Sequence, residues 1–204
     1  MLKKMTMTLA AMLFSGSAFA WTIRWDADNY RAGGNDCKKD NTVFAIAAGE
    51  EISFIMTALG TNLSGFSGGK LEERKFCTLM IPATVKQGLY LAKLTHRVLG
   101  GFLRTGNAEG KISVSSTFYN NPVSPISFST NSYRNNSVPF FEKKASTNFR
   151  VNPRYCQSDY RGIMRSSIAV TGQRKSINDG IVIQADGYDV KFETTAQIFK
   201  CPGF

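Results

Sequence analysis

The sequence feature that most limits the possible folds is a two-residue alternation of apolar and polar side chains near the C-terminus. Between residues 188 and 198 one set of alternate positions is apolar or small and the other set is mostly polar: Tyr188, Val190, Phe192, Thr194, Ala196 and Ile198 against Asp189, Lys191, Glu193 and Gln197. Because successive side chains of a strand point to opposite faces, this period predicts a half-buried β-strand. Residues 111–118 show the same alternation, and residues 51–58 show a strand pattern with mixed faces.

Further strands are predicted over residues 42–47, 76–81, 89–98, 167–171 and 181–183. Asp186-Gly187 supplies the backbone freedom of a tight hairpin turn, so we expect the C-terminal strands to form an antiparallel meander. Many short strands separated by turn signals favour a sandwich or a barrel. We expect an all-β fold, an antiparallel β-sandwich.

Residues 119–152 have the least regular pattern. Asn, Ser and Pro recur in them, which favours turns, whereas several apolar and aromatic side chains argue against disorder: Ile126, Phe128, Tyr133, Phe140, Phe141 and Phe149. We therefore expect a long loop region that joins the two halves of one sandwich.

The N-terminus has the pattern of a secretory signal peptide. Lys3 and Lys4 precede an apolar stretch over residues 5–14, which is shorter than the roughly 20 residues of a membrane span. Ala18-Phe19-Ala20 then matches a signal-peptidase site, so residues 1–20 are predicted to be removed and residues 21–204 to form one exported domain, periplasmic or secreted. The alternative is an N-terminal membrane anchor.

Four cysteines remain after the predicted cleavage: Cys37, Cys77, Cys156 and Cys201. An even number in an exported chain indicates disulfide bonds, and three pairings are possible. The chain has one histidine and no C-x-x-C motif, so we predict no zinc site.

The segment Glu73-Arg74-Lys75-Phe76-Cys77-Thr78-Leu79 resembles the R-K-x-C-x-L element of a family of small secreted bacterial and fungal four-cysteine proteins, a family known only as a domain of unknown function. The order of cysteines and strands between Cys37 and Cys201 is also similar. The resemblance implies an exported domain with two disulfides and supplies no catalytic residues. We predict Cys37–Cys77 and Cys156–Cys201, because this sequential pairing ties each half of a sandwich locally and agrees with the order in the family. Each bond would add about 4 kcal/mol of stability in the chain-entropy model.

Few residues are suited to catalysis. His96 is the single histidine, it lies on a predicted strand beside Arg97, and no G-x-S-x-G motif accompanies it, so we interpret it as structural or merely exposed. Paired carboxylates could still hydrolyse glycosides, but each candidate pair has an ordinary explanation in a turn or a charge pair: Asp26 and Asp28, Glu50 and Glu51, Glu72 and Glu73, Asp186 and Asp189. Residues 26–29 lack the glycine and the distal glutamate of a calcium loop. We predict no catalytic residue, no metal and no cofactor.

The positive charge is concentrated in residues 134–175, hereafter the basic segment, which contains nine cations and two acids. Arginine pairs with carboxylate or phosphate, and aromatic rings stack on sugars or bases. The candidate ligand-binding residues are Arg150, Arg154, Tyr155, Tyr160, Arg161 and Arg165. The alternative is a solvated basic face that contributes only to solubility.

These observations favour an exported, non-enzymatic envelope or extracellular binding module for anionic polymers or glycans. A carboxylate-dependent hydrolase and a structural component of a surface or matrix are the alternatives. Nucleic acid would match the same charge, but an exported protein meets it less often.

Overall fold

The computed structural model describes residues 22–35, 37–64, 68–184 and 190–203. The predicted signal peptide and its cleavage site lie outside the described residues, as do Asp186, Gly187 and Asp189. Within the described residues, no helix combines the length and the apolar character needed to cross a membrane.

Most of the described chain is strand, with one short α-helix, α1 (Pro153–Cys156), and one 3-10 turn, Thr130–Ser132. The strands in chain order are β1 (Ile23–Trp25), β2 (Arg31–Gly33), β3 (Val43–Ala48), β4 (Glu51–Met56), β5 (Thr61–Leu63), β6 (Glu72–Val85), β7 (Leu89–Thr105), β8 (Glu109–Phe118), β9 (Asn121–Ser129), β10 (Ser137–Asn148), β11 (Tyr160–Gln173), β12 (Gly180–Gln184) and β13 (Val190–Lys200). All pairs between these strands are antiparallel.

The strands form two sheets. Sheet A has the order β1-β6-β11-β8-β9, and β2 bonds to β6 on the same edge as β1. In sheet B, β3, β4, β13 and β7 follow one another, and β10 covers the other edge of β7. β5 and β12 extend this sheet beside the C-terminal part of β7.

The two sheets pack face to face over one hydrophobic core. Every second residue of β8 and β11 is buried, as expected for strands with one face on the core and one in solvent. In sheet B, the rings of Phe54 and Phe192 from neighbouring strands stack with their centroids 6.3 Å apart. The prediction of an all-β antiparallel sandwich is confirmed.

The predicted C-terminal meander is wrong. β12 bonds to residues 101–105 of β7 and β13 to residues 89–99 of the same strand. Since β10 occupies the opposite edge along residues 93–103, β12 and β13 follow one another along a single edge instead of folding back as a hairpin. The Asp-Gly signal could not distinguish a hairpin from an interruption between two strands in line.

The expectation of a long loop over residues 119–152 is also wrong, because β9 and β10 occupy most of it. Their inward side chains, among them Ile126, Phe128 and Phe141, are buried in the core. The prolines that indicated a loop are tolerated because β9 and β10 lie at the edges of their sheets, where a missing N–H interrupts no ladder. Pro139 falls in the irregular step of β10 between its paired residues Val138 and Phe141.

The predicted disulfide pairing is confirmed, and none of the four cysteines is free. Cys37–Cys77 joins the segment before β3 to β6 in the other sheet. Cys156–Cys201 fixes α1 to the residue that follows β13. The second bond therefore holds one end of the sandwich together, and the candidate functional residues lie at that end.

Candidate functional site

A cavity at this end of the sandwich, hereafter the end cavity, contains half of the predicted ligand-binding residues. Arg150, Tyr155 and Tyr160 line it together with Tyr90, Leu91, Phe118, Tyr119, Asn121, Phe149 and Asn152. A shallower concavity formed by residues 121–122, 147–153 and 155 adjoins it. Arg154 is exposed on α1 and lines neither of these concavities. Aromatic rings, side-chain amides and one guanidinium therefore face a shared space.

Three tyrosines, Tyr119, Tyr155 and Tyr160, are in mutual contact and form what we call the tyrosine cluster. The rings of Tyr155 and Tyr160 stack with centroids 4.7 Å apart and planes inclined by 25°. The ring of Tyr119 meets the other two edge-on, with its centroid 5.2 Å from that of Tyr155 and 6.3 Å from that of Tyr160. Stacked and edge-to-face arrangements are the favourable geometries of aromatic pairs, so the cluster is a stable, preformed surface.

The turn between β8 and β9 positions Tyr119. Phe118 and Asn121 are register partners, which leaves Tyr119 and Asn120 as a two-residue loop with φ angles of 50° and 62°. Positive φ at both positions is the geometry of a type I′ hairpin turn, which normally selects Asn or Gly. Asn120 fits this rule, whereas a bulky residue such as Tyr119 is strained there. Tyr119 is 41% exposed despite this cost, which makes it a candidate for function.

Helix α1 and the start of β11 position the other two tyrosines. The Asn152 side chain accepts a hydrogen bond of 3.1 Å from the backbone N–H of Arg154 and thereby caps α1, and Pro153 follows at the first helical position. Tyr155 lies on this single turn, next to the disulfide-bonded Cys156. Tyr160 is the first residue of β11 and points to the core side of sheet A.

The end cavity presents hydrogen-bond donors and one cation. Burial raises the pKa of Tyr160 to about 12, and burial followed by the neighbouring Tyr119 raises the pKa of Tyr155. Both phenols therefore keep their protons at neutral pH and can donate hydrogen bonds. Among the described residues, no carboxylate lines the end cavity or the concavity beside it, so the charge of Arg150 is uncompensated there.

Two more predicted residues, Arg161 and Arg165, line a second concavity, hereafter the outer groove, on the solvent side of sheet A. Tyr119 contributes to the outer groove as well as to the end cavity. The groove exists because the register of β11 with β8 begins only at Met164, so the first residues of β11 extend past the end of β8. Gly162 lies here, and a Cβ atom on it would lie 3.1 Å from Cδ2 of Tyr119.

The basic segment does not form one surface, which corrects the simplest form of the charge argument. Lys143 and Lys144 lie on β10 in sheet B, whereas Arg161 and Arg165 lie on β11 in sheet A. Arg174 is buried, and its guanidinium donates to the backbone carbonyls of four residues: Lys70, Ser64, Ile177 and Asp179. This arginine fixes loops and is inaccessible to a ligand. A one-dimensional count of charge could not distinguish these roles.

His96 and those candidate carboxylates that the structure describes do not line the end cavity or the concavity beside it. His96 is 1% exposed in the core, where its Nδ1 atom is 2.8 Å from the hydroxyl of Thr194. The carboxylate of Asp26 accepts hydrogen bonds from the amide of Asn29, and that of Glu73 accepts the backbone N–H of Asn62. No group of three potential metal ligands occurs in the described part of the chain.

Sequence reasoning missed Tyr90, Tyr119 and Asn121 as parts of the site. Asn120-Asn121-Pro122 predicts a turn, which is correct for the backbone but says nothing about the side chains. A tyrosine at a turn position that favours Asn or Gly was the available signal. Tyr90 had no signal, because its proximity to the others depends on how the two sheets pack.

No protein family and no curated protein matches the chain. The resemblance to the four-cysteine family therefore stays a prediction. Similar solved structures include the module TmCBM61 in complex with β-1,4-galactotriose, with 10% identity, 86% of this chain and 90% of that chain covered, and a TM-score of 0.25. The family 11 carbohydrate-binding module of Clostridium thermocellum has 10% identity over 91% of this chain and 90% of its own, with a TM-score of 0.18.

Tailspike protein 4 of bacteriophage CBA120 has 13% identity, covers 84% of this chain and 20% of its own, and has a TM-score of 0.21. At these TM-scores, the likeness carries no argument about ligand or activity. The functional argument therefore depends on the site itself.

Proposed function

We propose that the chain is an exported, non-catalytic binding module for acidic polysaccharides, and that the end cavity and the concavity beside it together hold a sugar residue of such a polymer. One observation carries the proposal: the tyrosine cluster, Arg150 and two side-chain amides face one cavity whose described lining residues include no carboxylate. Export agrees with the predicted signal peptide and with two disulfides, which persist in oxidising compartments.

The chemistry of the cavity matches an acidic sugar in three ways. The apolar face of a pyranose ring stacks on aromatic rings, and Tyr119 is exposed enough to offer one. The Asn121 amide already donates to the carbonyl of Tyr119, and the Asn152 side-chain oxygen already caps α1. The remaining amide groups of these two residues and the protonated phenols can bond to sugar hydroxyls. The guanidinium of Arg150 can hold a carboxylate through two parallel hydrogen bonds.

A carboxylate-dependent hydrolase is not supported at this site. Hydrolysis of a glycoside by the common mechanism needs a pair of carboxylic side chains on either side of the bond. Among the residues that the structure describes, the end cavity and the outer groove are lined by arginines and phenols. Such side chains can bind a substrate, but they do not supply the carboxylic acid and the carboxylate nucleophile of that mechanism.

The proposal is tested by calorimetric titration of the mature protein with short oligosaccharides of galacturonate, of mannuronate and of hyaluronan. The control ligands are the same oligosaccharides after reduction of their carboxylates to hydroxymethyl groups. We expect at least one acidic series to bind and its reduced form to bind at least about tenfold more weakly, the loss of about one charge-assisted hydrogen bond.

Variants assign the contacts in this titration. Arg150→Gln should weaken binding about tenfold and reduce its salt dependence, whereas the matched change Lys175→Gln should have no effect. Tyr155→Leu should weaken binding at all salt concentrations, and Tyr155→Phe should retain the stacking part. Absence of binding to all three series, or tighter binding of a single-stranded oligonucleotide than of any glycan, would contradict the proposal.

A further inference from the structure

The outer face of sheet A presents four arginines from three different strands. They come from β1, β2 and β11, and all are exposed: Arg24, Arg31, Arg161 and Arg165. Only the last two belong to the basic segment. The strand register brings the other two beside them.

The register places the four arginines at the corners of a rectangle, hereafter the arginine rectangle. Arg24 and Arg161 are both partners of Thr84, on opposite sides of β6, and the other two arginines are both partners of Met80. The short side spans two strand spacings, about 10 Å, and the long side spans four residues, about 13 Å. All four side chains point to the same face, because they occupy alternate positions whose neighbours along the strands point inward.

The rectangle carries an excess of positive charge that nothing in the described chain neutralises. None of its arginines forms a salt bridge within the described residues, whereas Arg97 does so on the opposite sheet. The nearest acid by register is Asp26, whose backbone N–H bonds to the carbonyl of Pro82 and whose carboxylate accepts from the amide of Asn29. Asp159 lies two residues before Arg161, and its carboxylate accepts the backbone N–H of Gln87. Four cations and two acids leave this area positive.

The rectangle is continuous with the proposed binding site. Arg161 and Arg165 also line the outer groove, and Tyr119 lines both the outer groove and the end cavity. Exposed Ile163 lies between the two arginines on β11 and adds an apolar contact, with 46% of its surface accessible. A chain that leaves the end cavity past Tyr119 therefore meets the outer groove first and the rectangle next.

We infer that the outer face of sheet A is a second anion-binding surface, and that the module binds an internal stretch of an acidic polysaccharide instead of a chain end. This inference rests on the proposed function, with one sugar residue in the end cavity and the concavity beside it. Carboxylates further along the polymer then pair with the arginine rectangle. The flat, open face holds repeated charges at several positions, which suits a polymer better than a small ligand.

The test compares the affinity of short and long oligomers of the acidic glycan that binds best in the titration above. A disaccharide can occupy the end cavity and the concavity beside it without reaching the rectangle, whereas an octasaccharide can also reach the rectangle. We expect the octasaccharide to bind at least about tenfold more tightly, and the double variant Arg24→Gln/Arg31→Gln to remove most of this gain. The disaccharide affinity of that variant should equal that of the wild type.

The matched control is Lys144→Gln/Lys175→Gln, which removes the same charge from exposed positions outside the rectangle and should leave the length dependence unchanged. Thermal unfolding of each variant verifies that the fold persists.

The outcomes separate the two proposals. Equal affinities for short and long oligomers, or equal losses from the rectangle and control variants, would overturn the second surface while leaving the end cavity intact. The other outcome is that the octasaccharide binds more tightly than the disaccharide, and that this gain in affinity depends on the rectangle but not on Arg150 or Tyr155. That result would overturn the proposed function instead.

Discussion

Replacement of His96 by glutamine should remove a large part of the acid sensitivity of the fold. Burial lowers the pKa of His96 from 6.5 to about 4, because the imidazole is enclosed in the core and is held neutral. Its Nδ1 atom contacts the hydroxyl of Thr194, and its ring centroid is 5.2 Å from that of Phe192. The glutamine amide can still bond to that hydroxyl but does not titrate.

The sign follows from the difference in proton binding. Between pH 6.5 and about 4 the unfolded chain binds a proton at His96 that the folded chain does not, so protonation favours unfolding. The contribution of the neutral His96 to the free energy of unfolding is therefore fully present above its pKa in the unfolded chain, 6.5, and is lost as the pH falls to its pKa in the folded chain, about 4. At about 1.4 kcal/mol per unit of pKa, the loss amounts to about 3 kcal/mol.

The assay is urea unfolding of the mature protein and of His96→Gln at a series of pH values across this window. The pKa of Glu193 is also shifted: desolvation raises it, but hydrogen bonds and charges from Lys191 and Arg97 outweigh this and lower it. Both proteins therefore lose the stabilising contribution of Glu193 as the pH falls. Only the difference between their two stability curves reports on the histidine. We expect the wild type to lose about 3 kcal/mol more than the variant. Parallel curves would refute the reasoning, because they would mean that His96 takes up its proton without unfolding the core.

Other perturbations test separate parts of the structure. Cys156→Ala/Cys201→Ala should cost about 4 kcal/mol of unfolding free energy and also weaken glycan binding, because α1 and Tyr155 are no longer fixed. Cys37→Ala/Cys77→Ala should cost a similar free energy but leave the glycan affinity unchanged. Urea unfolding measures the stability and calorimetry the affinity, and equal affinity losses in the two variants would contradict the assignment. Gly162→Val should crowd both Tyr119 and the buried Phe118, because an added Cβ would lie 3.1 Å from the first ring and 3.3 Å from the second, so it should lower affinity for the short oligosaccharide together with some loss of thermal stability. An unchanged affinity would show that Tyr119 is not part of the site. N-terminal sequencing of the exported protein should begin at Trp21, and retention of Met1 would contradict export through the predicted signal.

The sequence predicted the strands with one buried and one solvated face, because alternation is a local property. β8 shows it directly, and β13 shows it except at Glu193, which is buried where it pairs with Arg97 and Lys191. The disulfide pairing followed from the order of the cysteines and the family resemblance. β9 and β10 were missed because edge strands tolerate the prolines and asparagines that otherwise indicate loops.

The candidate site was predictable only in part. Arg150, Tyr155 and Tyr160 were found from charge and aromatic content in one segment, and they do line one cavity. Arg24 and Arg31 could not be found in this way, because they meet the arginines of β11 only through their shared partners on β6. Pairing between strands far apart in the chain is not encoded in any local pattern.

The most direct test of the central claim is a map of the backbone amide resonances of the mature protein that shift when an acidic oligosaccharide is added. The account predicts that the largest shifts occur at Tyr119, Asn121, Arg150 and Tyr155, and that a longer oligomer extends them to Arg161 and Arg165. Shifts confined to Lys143, Lys144 and their neighbours on sheet B, or small shifts spread evenly over all exposed cations, would contradict the assignment of the site.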